Sequence, residues 1–191
     1  MIKENNNKIQ LEVVGLSHNS NMGNTFGLVL QELNGKKRIP IIIGEPEAQS
    51  IVIVLEKIIL QRPMIHDLFV KLCVDYNLEL SEILIYKLDE GVFYSKLILE
   101  DYKGDIKEID SRTSDAISLA LRFECPIYIY EPIMEKASIE ITEDENNIIP
   151  VDKNNIVNNI KELKKNLEDA VKTENYEKAA EIRDLIEKRK N

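Results

Sequence analysis

From Lys8 to Ser17 apolar and polar residues alternate as I-Q-L-E-V-V-G-L, a period of two that predicts a strand with one face toward a core. A second apolar run, Phe26 to Leu33, follows the polar stretch N-S-N-M-G-N, and Asn34-Gly35 supplies a hairpin turn into a third, Ile39 to Ile43. The period then lengthens. A helix is predicted from Pro46 to Leu60, where Ile51, Val52, Val54, Leu55, Ile58 and Ile59 cover most of the circumference and imply burial. Pro63 breaks that pattern, and another helix runs from Ile65 to Tyr76 with Leu68, Phe69, Leu72 and Cys73 at helical spacing. Strands Glu79 to Leu88 and Val92 to Glu100 flank Asp89-Glu90-Gly91, and Lys103-Gly104 turns into a further strand, Asp105 to Ile109. A helix from Ser114 to Phe123 ends before Pro126; a short strand, Ile127 to Tyr130, and a brief helical segment, Ile133 to Lys136, follow. The expected class is α+β over residues 1–138: antiparallel and mixed sheet meanders with packed helices.

Residues 139–155 read as an acidic linker, with Glu140, Glu143, Asp144 and Glu145 and no Lys or Arg between Lys136 and Lys153. Beyond it Ile156, Ile160, Leu163, Leu167 and Val171 form one helical stripe, and Tyr176, Ala179, Ile182, Leu185 and Ile186 another, which predicts an α-helical hairpin over 156–191. Burying about ten such side chains contributes roughly 1.5 to 3 kcal/mol each, against about 1 to 2 kcal/mol for ordering every residue. A two-helix unit with one apolar seam is therefore marginal alone. The seam Leu163, Leu167, Tyr176, Ile182 and Ile186 is expected to bind another helical hairpin, of its own kind or from a protein partner.

Charge narrows the partners. A formal charge of −9 and a pI near 4.9 oppose the broad basic face that carries nonspecific nucleic-acid binding. Local clusters remain, and Lys36, Lys37, Arg38 and Arg62 are the candidates for contacting a nucleic-acid backbone, although lysines at a turn also serve plain solvation. The apolar run after Ile51 stops at Glu56, short of the ~20 residues a membrane span needs, and the first residues have no signal-peptide core. The expected location is the cytoplasm, with no membrane partner. Cys73 and Cys125 have no metal-ligand spacing and read as buried, reduced thiols.

The candidate chemistry gathers at two strand-to-helix corners. At Gly44-Glu45-Pro46-Glu47 the glycine allows the turn, Pro46 suits the first helical position, and two acids sit where a helix N-terminus is electropositive. At Asp110-Ser-Arg-Thr-Ser-Asp115 a strand again runs into a helix. Glu45, Glu47, Asp67, Asp110 and Asp115 are of the type that ligates divalent metal for phosphodiester hydrolysis, and equally of the type that stabilises a first helical turn. Glu45, Asp67 and Asp110 are the metal candidates, with Mg2+ or Mn2+ as the cation. Arg112 can pair with Asp110 or contact phosphate. His66 can act as general acid or base, or ligate beside Asp67. No phosphate-cradling glycine loop, H-E-x-x-H or G-x-S-x-G is present.

Three segments, Gly44-Glu45-Pro46-Glu47-Ala48, Pro63-Met64-Ile65-His66-Asp67-Leu68 and Ser114-Asp115-Ala116-Ile117-Ser118-Leu119-Ala120-Leu121-Arg122, resemble the bifunctional nuclease family in type and order. The stretch from Leu167 to Ile186 resembles the UVR motif of excision-repair and Clp-adaptor proteins, which mediates protein contacts there. The resemblance implies a cytosolic, homo-oligomeric nuclease acting on RNA and DNA with an α+β fold, and the residue chemistry at the corners and helix starts selects Glu45, Glu47, His66, Asp67, Asp110, Arg112 and Asp115 as the expected catalytic site. The alternative is a non-enzymatic regulatory or adaptor module that recruits a repair or Clp-type protease partner.

Overall fold

The chain divides into two units, Met1–Ile149 and Pro150–Asn191, and a computed structural model describes residues 7–18 and 25–140, all within the first. Among the described residues, eight strands form one mixed sheet in the order β6-β5-β4-β7-β1-β2-β3-β8. In chain order these are β1 (Lys8–His18), β2 (Thr25–Glu32), β3 (Lys37–Gly44), β4 (Leu78–Asp89), β5 (Val92–Asp101), β6 (Ile106–Arg112), β7 (Ile127–Tyr130) and β8 (Ile139–Glu140). The helices are α1 (Glu45–Leu55), α2 (Ile65–Asp75), α3 (Thr113–Phe123) and α4 (Glu131–Ala137). The α+β class expected from the pattern is the one observed.

The two meanders, β1-β2-β3 and β4-β5-β6, are antiparallel throughout. Strand β7 joins them by pairing antiparallel with β1 and parallel with β4, and that parallel pair makes the sheet mixed. Alternation decides which side chains enter the core: Ile39, Ile41 and Ile43 of β3 are buried while Ile42 between them is exposed. Each meander hands its last strand directly to a helix, β3 to α1 and β6 to α3. Helix α1 packs on β2 and β3, α3 packs on β4, β5 and β6, and α3 also touches both α1 and α2. The two corners therefore meet.

Three boundaries differ from the pattern. Helix α1 stops at Leu55 rather than Leu60, because Lys57 takes a left-handed conformation with φ 51°. The Ile58 amide then donates to the Ile53 carbonyl at 2.9 Å and the Lys57 amide to that of Val54 at 3.0 Å. That is a Schellman-type stop, with Lys57 where glycine is usual. Strand β6 runs on to Arg112, so Asp110 lies within the sheet and not beyond it. Strand β8, absent from the pattern, pairs Ile139 with Arg38 and Glu140 with Lys37.

Candidate active site

Helix α3 carries a polar line, Asp115, Ser118 and Arg122, on a helix that is otherwise apolar beyond its first two residues, at the spacings of three and four that put residues on one face. Helix α1 answers with Glu47 and Ser50, three apart, and α2 with His66 and Asp67 in its first turn. The start of α3 is pinned to the sheet: the Thr113 hydroxyl donates to the Phe93 carbonyl at 2.9 Å, and the Ser95 hydroxyl lies 2.7 Å from Thr113 Oγ1.

The outer part of this line is a charged rim. Arg112 Nε donates to Asp115 Oδ2 at 2.8 Å and Nη2 to Asp115 Oδ1 at 3.2 Å, while Nη1 donates to Glu47 Oε1 at 2.8 Å. Its side chain is 67% exposed. The two carboxylates hold the guanidinium proton still more firmly than usual, Asp115 through its hydrogen bond first and Glu47 second. Glu47 Oε2 folds back over the corner to within 2.7 Å of where a Cβ on Gly44 would stand. Gly44 has φ −79°, so the position does not need glycine for backbone freedom, and only the end of the Glu47 side chain crowds the space where a Cβ would stand.

Below the rim lies His66, 12% exposed, with Nε2 at 3.4 Å from Asp115 Oδ1 and Nδ1 at 3.4 Å from Ser50 Oγ. The order Ser50, His66, Asp115 imitates a nucleophile–base–acid triad. Burial excludes that role for Ser50: the residue is 1% exposed, and its hydroxyl is hydrogen-bonded to that of Ser118. Deeper still, Arg122 is a staple at 6% exposure. Its Nη1 donates to Ser118 Oγ at 2.7 Å, the Ser118 carbonyl at 3.0 Å and the Ser50 carbonyl at 3.2 Å, and Nε donates to Asp67 Oδ1 at 2.7 Å. Asp67 Oδ2 accepts the Met64 amide at 2.8 Å and so caps α2. Burial opposes the charge on Asp67, but the bonds from Arg122 and Met64 outweigh it and hold the carboxyl below its ordinary 3.8.

Of the residues expected in the site, Glu47, His66, Asp67, Arg112 and Asp115 converge. Glu45 stands in the first turn of α1, two positions from Glu47, a spacing that sends the two side chains to different sides of the helix. Asp110 is not brought in. It pairs in register with Lys96, next to Ser95, and Ser95 faces α3, so alternation turns Asp110 to the other face of the sheet. There its Oδ1 accepts the Tyr86 hydroxyl at 2.9 Å, a bond that raises the Tyr86 phenol above its usual range. Lys37 and Arg38 lie in β3, with Lys36 in the turn before it, and Arg38 Nε donates to Gln31 Oε1 at 2.7 Å. Arg62 lies in the segment between α1 and α2. The hairpin residues Leu163, Leu167, Tyr176, Ile182 and Ile186 lie outside the described residues.

Four of the carboxylates expected near the site are bonded to protein groups. Asp115 gives both oxygens to Arg112, Glu47 gives one, Asp67 is divided between Arg122 and Met64, and Asp110 is on the other face. Among the described residues no three His, Cys, Asp or Glu are grouped to hold a metal ion. Both thiols match the inert reading: burial raises Cys73, and pushes Cys125 up to about 11. Among the described residues no helix is long and apolar enough to cross a membrane.

The family model of the bifunctional nuclease domain matches residues 28–142, from β2 through β8 and so across both corners. The chain belongs to the bifunctional nuclease domain family. The model of the UvrB/uvrC motif matches residues 158–191. Two curated relatives, the uncharacterized proteins Rv1829 of Mycobacterium tuberculosis strain H37Rv and MT1877 of strain CDC 1551, are each 36% identical over 117 residues. That match covers 61% of this chain and 69% of each relative. As a member of this family the chain carries the nuclease-like domain, followed by a motif associated with protein or DNA interaction.

Sequence reasoning passed over Ser50, Ser118 and Arg122. The signal for them was the polar line at 115, 118 and 122 on a helix whose other residues are largely apolar.

Proposed function

We propose that the protein is a cytoplasmic nuclease that hydrolyses phosphodiester bonds of RNA or DNA at the rim formed by Glu47, His66, Arg112 and Asp115. The observation that carries the proposal is Arg112: an exposed guanidinium held flat between two carboxylates, above a histidine, in a domain of the nuclease family. A planar fork of donors suits phosphoryl oxygens. An incoming phosphate would exchange with the rim carboxylates for Arg112, which keeps the cation in place while its partners change.

Hydrolysis requires water to lose a proton as its oxygen bonds to phosphorus, and the leaving ester oxygen to gain one. The His66–Asp115 pair is the proton acceptor beside Arg112, and it can return the proton to the leaving oxygen. Contacts of 3.4 Å to either ring nitrogen are long for hydrogen bonds, so the imidazole can turn toward a bound water.

The test is cleavage of labelled single-stranded RNA and DNA by highly purified protein, with and without chelator, beside His66→Asn. Loss of the acid–base group should lower kcat by roughly 10²- to 10⁴-fold with the fold intact by circular dichroism. Equal rates in wild type and variant would remove this centre from the chemistry.

A second reading is favoured by the UvrB/uvrC motif and by the completeness of the polar network, in which every buried side-chain nitrogen and oxygen among the described residues has a partner. In it the domain is a regulatory module, and the motif recruits a protein of the repair or Clp-protease type. Purified protein that cleaves neither substrate, yet captures a helical-hairpin partner through Leu167 and Ile182, would decide for that reading.

A further inference from the structure

Where α1 ends, the chain from Ile53 to Pro63 wraps a cleft of about 470 Å3 whose far side is Asp67 and Arg122. The volume is that of a small-ligand site, roughly 300 to 1,000 Å3. Its walls are of two kinds. Ile53, Val54, Ile58 and Pro63 give it apolar surface, while Lys57, Arg62 and Arg122 contribute three cations against the single carboxylate of Asp67. In a protein of net charge −9 that excess is local and opposite in sign to the whole.

The cations also have capacity to spare. Lys57 and Arg62 make no ion pair among the described residues. Arg122 has five N–H donors; Nε and Nη1 are spent on oxygens, but Nη2 meets only the Met64 thioether, at 3.9 Å. A thioether is a weak acceptor. Asp67, in turn, has both oxygens engaged by Arg122 and Met64, so its charge does not repel an anion as a free carboxylate would. The left-handed Lys57 belongs to this design, since the Schellman-type stop both ends α1 and carries Ile58 and Lys57 onto the cleft wall.

We propose that this cleft binds one nucleotide of a single strand, its phosphate on Lys57, Arg62 and Arg122 and its base on the apolar wall of Ile53, Ile58 and Pro63. The proposal rests on the nuclease reading for its ligand, because the cleft adjoins the rim: Asp67 follows His66, and Arg122 is bonded to Ser50 and Ser118 beside it. A strand with one phosphate on Arg112 then has a neighbouring nucleotide in the cleft. This fixes the polarity of contacts, with the rim for chemistry and the cleft for grip.

The experiment is equilibrium binding of a labelled phosphorothioate oligonucleotide to the full chain, wild type and Lys57→Ala/Arg62→Ala, across a salt series. The double variant should bind about tenfold more weakly, and its salt slope should fall by roughly 0.7 for each phosphate that the protein no longer neutralises. Both positions are on the surface, and an unchanged denaturation midpoint verifies the fold. Against cleavable strand, KM should rise with kcat held within about twofold. A nucleoside monophosphate should compete with the oligonucleotide, and inorganic phosphate should compete much less. Unchanged affinity and salt slope in the variant, no binding by wild type, or phosphate competing as well as the monophosphate would overturn the cleft. Wild type that binds through Lys57 and Arg62 but cleaves nothing would instead overturn the nuclease reading and leave the cleft standing.

Discussion

Two arginines ten residues apart frame the site in opposite ways. Arg112 stands on the rim, two-thirds exposed, and its partners Glu47 and Asp115 also reach solvent. Arg122 stands in the floor, 6% exposed, bonded to a carboxylate, two backbone carbonyls and a hydroxyl from three different segments. The same side-chain chemistry thus serves exchange at one place and construction at the other. What separates them is access to water: a pair in water costs little to open, whereas removing a buried guanidinium leaves several oxygens without their donor. A charged cluster seen at a corner is therefore two devices, and exposure divides them.

The largest effect should come from breaking that division at the floor. Arg122→Met should destabilise the fold by about 3 kcal/mol, the low end for an opened buried pair because Asp67 itself reaches water. Arg112→Met should cost under about 1 kcal/mol while removing the phosphate-binding fork and with it most of the nuclease rate. Chemical denaturation of the two variants, beside their cleavage rates, makes the contrast direct. Similar stability losses in both would erase the distinction between rim and floor.

Much of this division could be read along the chain, and the exceptions have physical causes. The strand-to-helix corners at Gly44 and Arg112 announced Glu47 and Asp115, and the helix start after Pro63 announced His66, because an acid or histidine in a first helical turn is marked by its position alone. Asp110 misled because Asp105 to Ile109 looks like a whole strand; the ladder instead continues through Arg112, where pairing with Tyr94 overrides the polar composition. The end of α1 misled for the converse reason. Ile58, Ile59 and Leu60 extend the apolar pattern, and no glycine or proline warns that Lys57 turns left-handed. Arg122, Ser50 and Ser118 escaped because acids at helix starts drew the attention, whereas the floor is built of two neutral hydroxyls in mid-helix and one arginine in a last helical turn. Leu68 and Leu72 show the limit of periodicity itself: they keep helical spacing on α2 yet are exposed, since spacing tells which residues share a face and not which face is covered.

Acid should sharpen the comparison at Asp67, with a smaller effect. Its carboxyl titrates below the ordinary value because Arg122 and Met64 favour the charged form over the cost of burial. A folded-state pKa below the unfolded one adds stability that is complete above the unfolded value, near 4, and is lost as pH falls through the folded value. The stability difference between wild type and Asp67→Asn should be level above about pH 5 and shrink below about pH 4, with a plateau near 1 kcal/mol because the group is partly solvated. A difference that grows toward low pH would reverse the sign and show that burial wins.

The smallest effect tests the rim without touching a charge. A Cβ on Gly44 would come within 2.7 Å of Glu47 Oε2, and its next contact, with Pro46 Cδ at 3.6 Å, is ordinary. The backbone at Gly44 suits any residue, so Gly44→Ala has only the end of one flexible side chain to move. Stability should change by less than about 0.5 kcal/mol, partly because alanine also loses less chain entropy on folding than glycine. Glu47 must then swing off Arg112, leaving the guanidinium held by Asp115 alone. Substrate affinity should shift by about twofold to threefold, far less than on removal of Arg112, and Glu47→Gln should shift it in the same sense. Cleavage kinetics with a denaturation curve for each variant separate the outcomes. A Gly44→Ala protein that loses several kcal/mol would show that backbone, and not the Glu47 carboxylate, fills the corner. One with unchanged kinetics would show that Glu47 merely rests against Arg112 and takes no part in holding it for phosphate.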